Sequence, residues 1–239
     1  MNVSKILSEE FYRNKVIWLL YFLILIMGYR NMKSYLSESL NFYEMLFVFH
    51  DSDFWIIVII PAFLYSLGRI TETYDRAMII LRYEDKGRWW KDKVKEILLN
   101  DLRVVGFISL NFLGYLVLFR SELNIWTIWI LFIIMLEEIF ILFILAMFLE
   151  VMINIYYNFH LWFVFLALAS IFLEKAPSVF KMDYLKNIIL SKLLTGEFTF
   201  VECFNPSSSF IPVIFTFLIA LGLYFLCKKI YESKDILWR

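Results

Sequence analysis

The run IWTIWILFIIMLEEIFILFILAMFLEVMI, residues 125–153, decides how the rest of the chain is read. It holds three glutamates and no basic residue over 29 positions. As a helix rising 1.5 Å per residue it would reach about 43 Å, beyond the roughly 30 Å of a bilayer's hydrocarbon core. Such a helix is expected to cross a membrane, and either to tilt or to project from it.

Five further apolar stretches surround it. Upstream, only Arg120 to Asn124 separate it from a span at 104–119, so those two are expected to form a tight antiparallel pair. Downstream, a very short turn leads to a span at 156–173, followed by an outer connection at 174–209 and a last span at 210–227. Nearer the amino terminus are spans at 15–32 and 54–68. The second of these contains Pro61, which lacks an N–H and should bend its helix.

Of the 239 positions 62% are apolar, with mean hydropathy +0.71, where soluble domains have about 45–50%. The fold class read from this is all-α, a polytopic membrane protein with six transmembrane helices in a single domain, 1–239. Residues 1–15 carry the stripe Val3, Ile6, Leu7 and Phe11, which suits an interfacial helix. No small-x-small pattern follows the first span promptly, so it reads as uncleaved rather than as a signal peptide.

Formal net charge is zero, which gives nucleic acid no electrostatic footing as a partner. The charges are nevertheless unevenly placed. With six spans and the amino terminus inside, the inner segments 1–15, 69–103 and 228–239 hold sixteen of the 23 Lys and Arg, and the outer ones seven. That bias puts both termini in the cytoplasm and the chain in the cell membrane. Nine of the sixteen, with seven acidic residues, fall within 69–103.

From Trp90 onward, Trp90, Val94, Ile97, Leu98 and Leu102 follow a helical period, with Lys91, Lys93, Lys95 and Glu96 between them. A surface-lying helix is expected here, feeding the third span, with Trp89 and Trp90 as headgroup anchors. A plain interfacial loop obeying the positive-inside rule would have the same composition. A docking surface for a soluble partner would also use the charge to set register and the aromatics to bury area.

The segment Ile80-Leu81-Arg82-Tyr83-Glu84-Asp85-Lys86-Gly87-Arg88-Trp89-Trp90, set between the second and third spans, resembles ABC-2-type transporter permeases. It looks most like the small six-span permeases that export peptides, bacteriocins or lantibiotics, or that give immunity to them. The resemblance covers nearly the whole chain in layout and is specific only over this segment. It implies a permease subunit that pairs with a second copy or a related permease and is driven by separate cytoplasmic ATPase subunits, where ATP and Mg would bind. It also implies that Arg82, Tyr83, Glu84, Asp85, Lys86, Trp89 and Trp90 couple to the ATPase. Short helices near the exit would fall at 179–194. The chain has no GxxxxGK[ST], so it is expected to carry no cofactor and to be no enzyme itself.

Glu137 and Glu138 sit near the middle of the fourth span, where an ionised acid costs roughly 2.5–3.5 kcal/mol. Neighbours on a helix diverge by about 100°, so the two cannot face one spot. At least one is expected to carry a proton or to face a wet cavity. With Asn111 of the third span they are candidates for the substrate path, attractive to cationic peptides; a packed structural pair is the alternative. Glu150, nearer the inner end, is expected to be solvated.

Two other functional classes compete. One is a stand-alone membrane binding or immunity protein without an ATPase. The other is an intramembrane CAAX-type metalloprotease, which also carries a Glu-Glu pair. Its following arginine is missing here, and of the two histidines only His160 comes after the pair, with His50 before it. No metal site is expected, since neither an HExxH motif nor a Cys/His cluster exists.

Overall fold

The computed structural model describes residues 13–34, 42–49, 54–75, 85–118, 125–155 and 210–233. All elements among them are helical: α1 Lys15–Ser34, α2 Phe42–Phe49, α3 Ile60–Tyr74, α4 Lys86–Leu118, α5 Ile125–Ile155 and α6 Phe210–Ser233. A π-helical turn, Trp55–Ile59, leads into α3. Four of the helices, α1, α4, α5 and α6, are long and apolar enough to cross a membrane.

Six spans are therefore not what the described residues present. The expected span at 156–173 lies outside them, as do residues 1–12 of the interfacial stretch 1–15 and the connection 174–209 with its expected short helices at 179–194. The expected span at 54–68 is helical but changes register within itself. Ile60 donates its N–H to the Trp55 carbonyl, five residues back. The next residue, Pro61, has no N–H to donate, and its ring would clash with the carbonyl four residues before it. The chain widens into a π turn just before the proline, a usual response to such an obstacle.

α1 begins at a cap, with the Asn14 side-chain oxygen accepting the Val16 N–H at 3.0 Å. Its other end packs tightly. A Cβ on Gly28 would stand 3.0 Å from the Phe49 ring and 3.4 Å from that of Tyr115. The absence of a side chain thus lets α1 close on α2 and α4, and Tyr115 Oη donates to the Leu25 carbonyl at 2.8 Å across the same seam. α2, inside what reads as a mixed loop, buries Phe42, Met45, Leu46 and Phe49 here.

α4 and α5 form a helical hairpin. Lys93 lies 25 residues before the end of α4, Glu150 lies 25 residues after the start of α5, and their side chains meet at 2.8 Å. Arms of equal length, each about 37 Å, must therefore run antiparallel. α6 packs along α5, and α3 packs along α4.

α4 is one unbroken helix of 33 residues rather than a surface helix joined to a separate span. Asp85 starts it, its carboxylate accepting the N–H groups of Gly87 at 3.0 Å and Arg88 at 3.2 Å. The helix follows the apolar stripe in its sequence only in part: Trp90, Val94 and Ile97 are buried, as the stripe predicts. Lys93 and Glu96 are buried as well, whereas Leu98 and Leu102 are turned outward. In a soluble helix the leucines would point inward. In a hydrocarbon solvent they need no shelter, and the polar residues turn to the bundle interior.

Candidate functional site

The ends of α3, α4, α5 and α6 meet around one buried lysine. Lys93 Nζ donates to Glu150 Oε2 at 2.8 Å, to Asp75 Oδ1 at 2.9 Å and to Tyr231 Oη at 3.3 Å. These use all three ammonium donors. Glu150 is equally engaged, with Thr71 Oγ1 donating to its Oε1 at 2.7 Å and Tyr231 Oη to its Oε2 at 2.5 Å. Lys93 and Glu150 are both fully buried. Asp75, just beyond α3, keeps 18% of its side chain exposed.

A buried ion pair like this is not by itself a large source of stability, because desolvating both charges offsets their attraction. Its force is in specificity: removing one partner strands the others, so the cluster fixes how four helix ends are arranged. It holds two carboxylates against one ammonium. Burial pushes the Asp75 carboxyl above its ordinary range, the Lys93 charge opposes this, and the Glu150 charge adds to it.

Aromatic rings close the cluster. Trp89 and Tyr231 both present ring faces to Lys93 Nζ, with centroids 5.3 and 5.2 Å away. Trp90 stacks on Tyr231 at 4.6 Å and on Tyr224 at 6.2 Å. Trp89 Nε1 donates to the Tyr74 carbonyl at 3.2 Å. Both tryptophans are almost wholly buried, at 2% and 1% exposure, instead of standing at headgroup level as the sequence led us to expect. The physical reason is the lysine: its charge inside the bundle recruits the π faces that would otherwise sit at the interface.

Beside this cluster opens a charged cavity of 860 Å³. One wall is the first turns of α4, from Asp85 to Arg88 with Lys91 and Asp92, and the other is Lys228 and Glu232 on α6. Among the proposed coupling residues, Asp85 and Lys86 line the cavity and Trp89 and Trp90 lie buried beneath it. Arg82, Tyr83 and Glu84 lie outside the described residues.

Glu137 and Glu138 are both buried, at 1% and 6% exposure, despite their divergent directions. Asn111 is half-buried, and its amide donates to the Phe107 carbonyl of its own helix at 2.8 Å. On the hairpin, Glu138 is twelve residues from Glu150, or about 18 Å along the axis. The two acidic sites are therefore separate. His50 and His160 lie outside the described residues.

Glu150 corrects a sequence expectation: it is the centre of the buried cluster, not a solvated end residue. Lys93, Asp75, Thr71 and Tyr231 were not singled out by their types or spacing. Counting equal arms back from the short hairpin connection would have paired Lys93 with Glu150. Asp75 and Tyr231 join from other helices and leave no such signal. No family model, no curated protein and no solved structure matches this chain, so its functional reading rests on these residues themselves.

Proposed function

We propose that this chain is the permease subunit of an ABC transporter, exporting a peptide or conferring immunity to one, with ATP hydrolysed on a separate cytoplasmic subunit. The single observation that carries the reading is the ion-locked junction beneath a charged cavity. A partner pressing on the start of α4 at Asp85 and Lys86 would act on a helix whose next turns are tied to α3, α5 and α6 through Lys93. A displacement there would move the hairpin as a body, since packed interfaces shift between discrete arrangements instead of yielding gradually. The chain would work with a second copy or a related permease. Its termini and the cavity would face the cytoplasm, where the excess of Lys and Arg belongs. Glu137 and Glu138, buried on the fourth predicted span, would then line or brace the substrate path.

The test is affinity purification of the full chain in mild detergent from cells that also make their native complement of ATPases. An ATPase with Walker motifs should come with the wild type, and the charge reversals Asp85→Lys and Lys86→Glu should reduce its recovery about tenfold, as loss of complementary rim charges does. Recovery of the chain with no ATPase under any condition would leave the stand-alone immunity protein as the better reading. Converting both Glu137 and Glu138 to Gln should impair export without affecting assembly, and intact transport would make them structural.

A further inference from the structure

The charged cavity has two walls that change character in the same direction. On α4, Arg88, Lys91, Lys95, Leu98 and Leu102 succeed one another at intervals of three and four, so they form one stripe, and all five are exposed. On α6, Glu232, Lys228, Phe225 and Leu221 do the same in reverse order, with Phe225 and Leu221 turned outward. Both stripes therefore run from charge at the cavity to apolar side chains deeper along the helix. The cavity lies at the ends of two helices able to cross a membrane.

The charges at the cavity are not balanced among themselves. Asp85 is engaged in capping α4, and Lys228 and Glu232 stand 3.7 Å apart as a pair. Asp92 also lines the space. The side chains of Arg88, Lys91 and Lys95 make no hydrogen bond or ion pair among the described residues. Three uncommitted cations on one stripe, beside a space of 860 Å³, call for an anion. An arginine fork one turn from a lysine, as Arg88 is from Lys91, suits a phosphate oxygen pair. The apolar continuation of both stripes calls for a ligand whose other end is hydrocarbon.

We propose that this cavity binds the headgroup of an anionic phospholipid, its phosphate held by Arg88 and Lys91 with Lys95 below them, and its acyl chains lying over Leu98, Leu102, Phe225 and Leu221. Basic pockets at the membrane face of helix bundles are suited to such headgroups. Asp85 and Lys86 line the same cavity, but the inference does not depend on the transporter reading, because the cations it uses are Arg88, Lys91 and Lys95.

The full chain, purified in mild detergent, should be titrated with phosphatidylglycerol or phosphatidylcholine and followed by native mass spectrometry and by its thermal unfolding midpoint. Phosphatidylglycerol should be retained and should raise the midpoint, and phosphatidylcholine should do neither. The triple variant R88Q/K91Q/K95Q should lose at least about tenfold of that preference, while Lys229→Gln, exposed on a neighbouring face, should keep it. All four are surface positions, so the variants retain the fold, and the unfolding midpoint without lipid checks this directly. Equal retention of both lipids, or equal preference in the triple variant, would overturn the proposal. So would a full effect from inorganic phosphate alone, which would assign the site to a soluble anion, or displacement of the lipid by a captured protein on the same three residues.

Discussion

Lys93 is the residue on which most of the molecule's polar architecture converges, and its removal should be felt more than that of any exposed charge. Lys93→Met would leave the Glu150 carboxylate buried without a cation, at a cost of about 3–5 kcal/mol in unfolding free energy. The double variant K93M/E150Q should be less destabilised than K93M alone, since the stranded charge is gone; a simple sum of the two single effects in thermal unfolding would argue against the coupling. Asp75 gives the cluster a pH dependence of definite sign. Burial raises its pKa above the ordinary 3.8, so the folded chain binds this proton more tightly than the unfolded one. The stability it contributes is greatest in acid and is lost as pH climbs from about 3.8 through the raised value. The unfolding midpoint of the wild type relative to Asp75→Asn should therefore fall as pH rises above about 4, and a flat difference would show that Asp75 ionises as freely as in the unfolded chain.

Two glycines put helix packing to the test. In an open helix a glycine is worth about 1 kcal/mol less than alanine. A Cβ on Gly106 meets nothing within 4 Å, so Gly106→Ala should stabilise by up to about that amount. A Cβ on Gly28 would stand 3.0 Å from Phe49, whose ring is itself hemmed in by Phe54 and Phe112 at centroid distances of 5.7 and 5.0 Å. Gly28→Leu should therefore destabilise by about 1–3 kcal/mol, read as a lowered unfolding midpoint in detergent. Same residue type, opposite signs. The sequence disclosed the helices well and their faces only in part. The apolar run at 125–153 is the body of α5, because length and hydropathy are properties of the run alone. Which side of α4 turns inward depends on whether the surroundings are water or hydrocarbon and on what approaches from α3, α5 and α6. Lys93, which looks like a solvated residue in the sequence, is buried for that reason.

For the whole molecule, the hairpin and the shared cavity fix which segments lie together. The start of α4 and the end of α6 line one space, so single cysteines introduced at Lys91 and Lys229, in a background with Cys203 and Cys227 replaced by serine, should be labelled by an impermeant thiol reagent from the same side. On the proposed orientation that side is the cytoplasm, and labelling of the two positions from opposite sides would break the packing of α4 against α6. The lysine cluster also has a history. Asp75 is synthesised before Lys93, but Glu150 follows it by 57 residues and Tyr231 by 138. At about 5–20 residues per second, Lys93 must wait roughly 3–11 s for its buried counter-ion and about 7–28 s for the phenol that completes the set. During biogenesis, then, a helix whose cation has only Asp75 to answer it has to be held by the insertion machinery or near the membrane surface until Glu150 arrives. A chain halted before α6 would reach quality control with its last helix junction open.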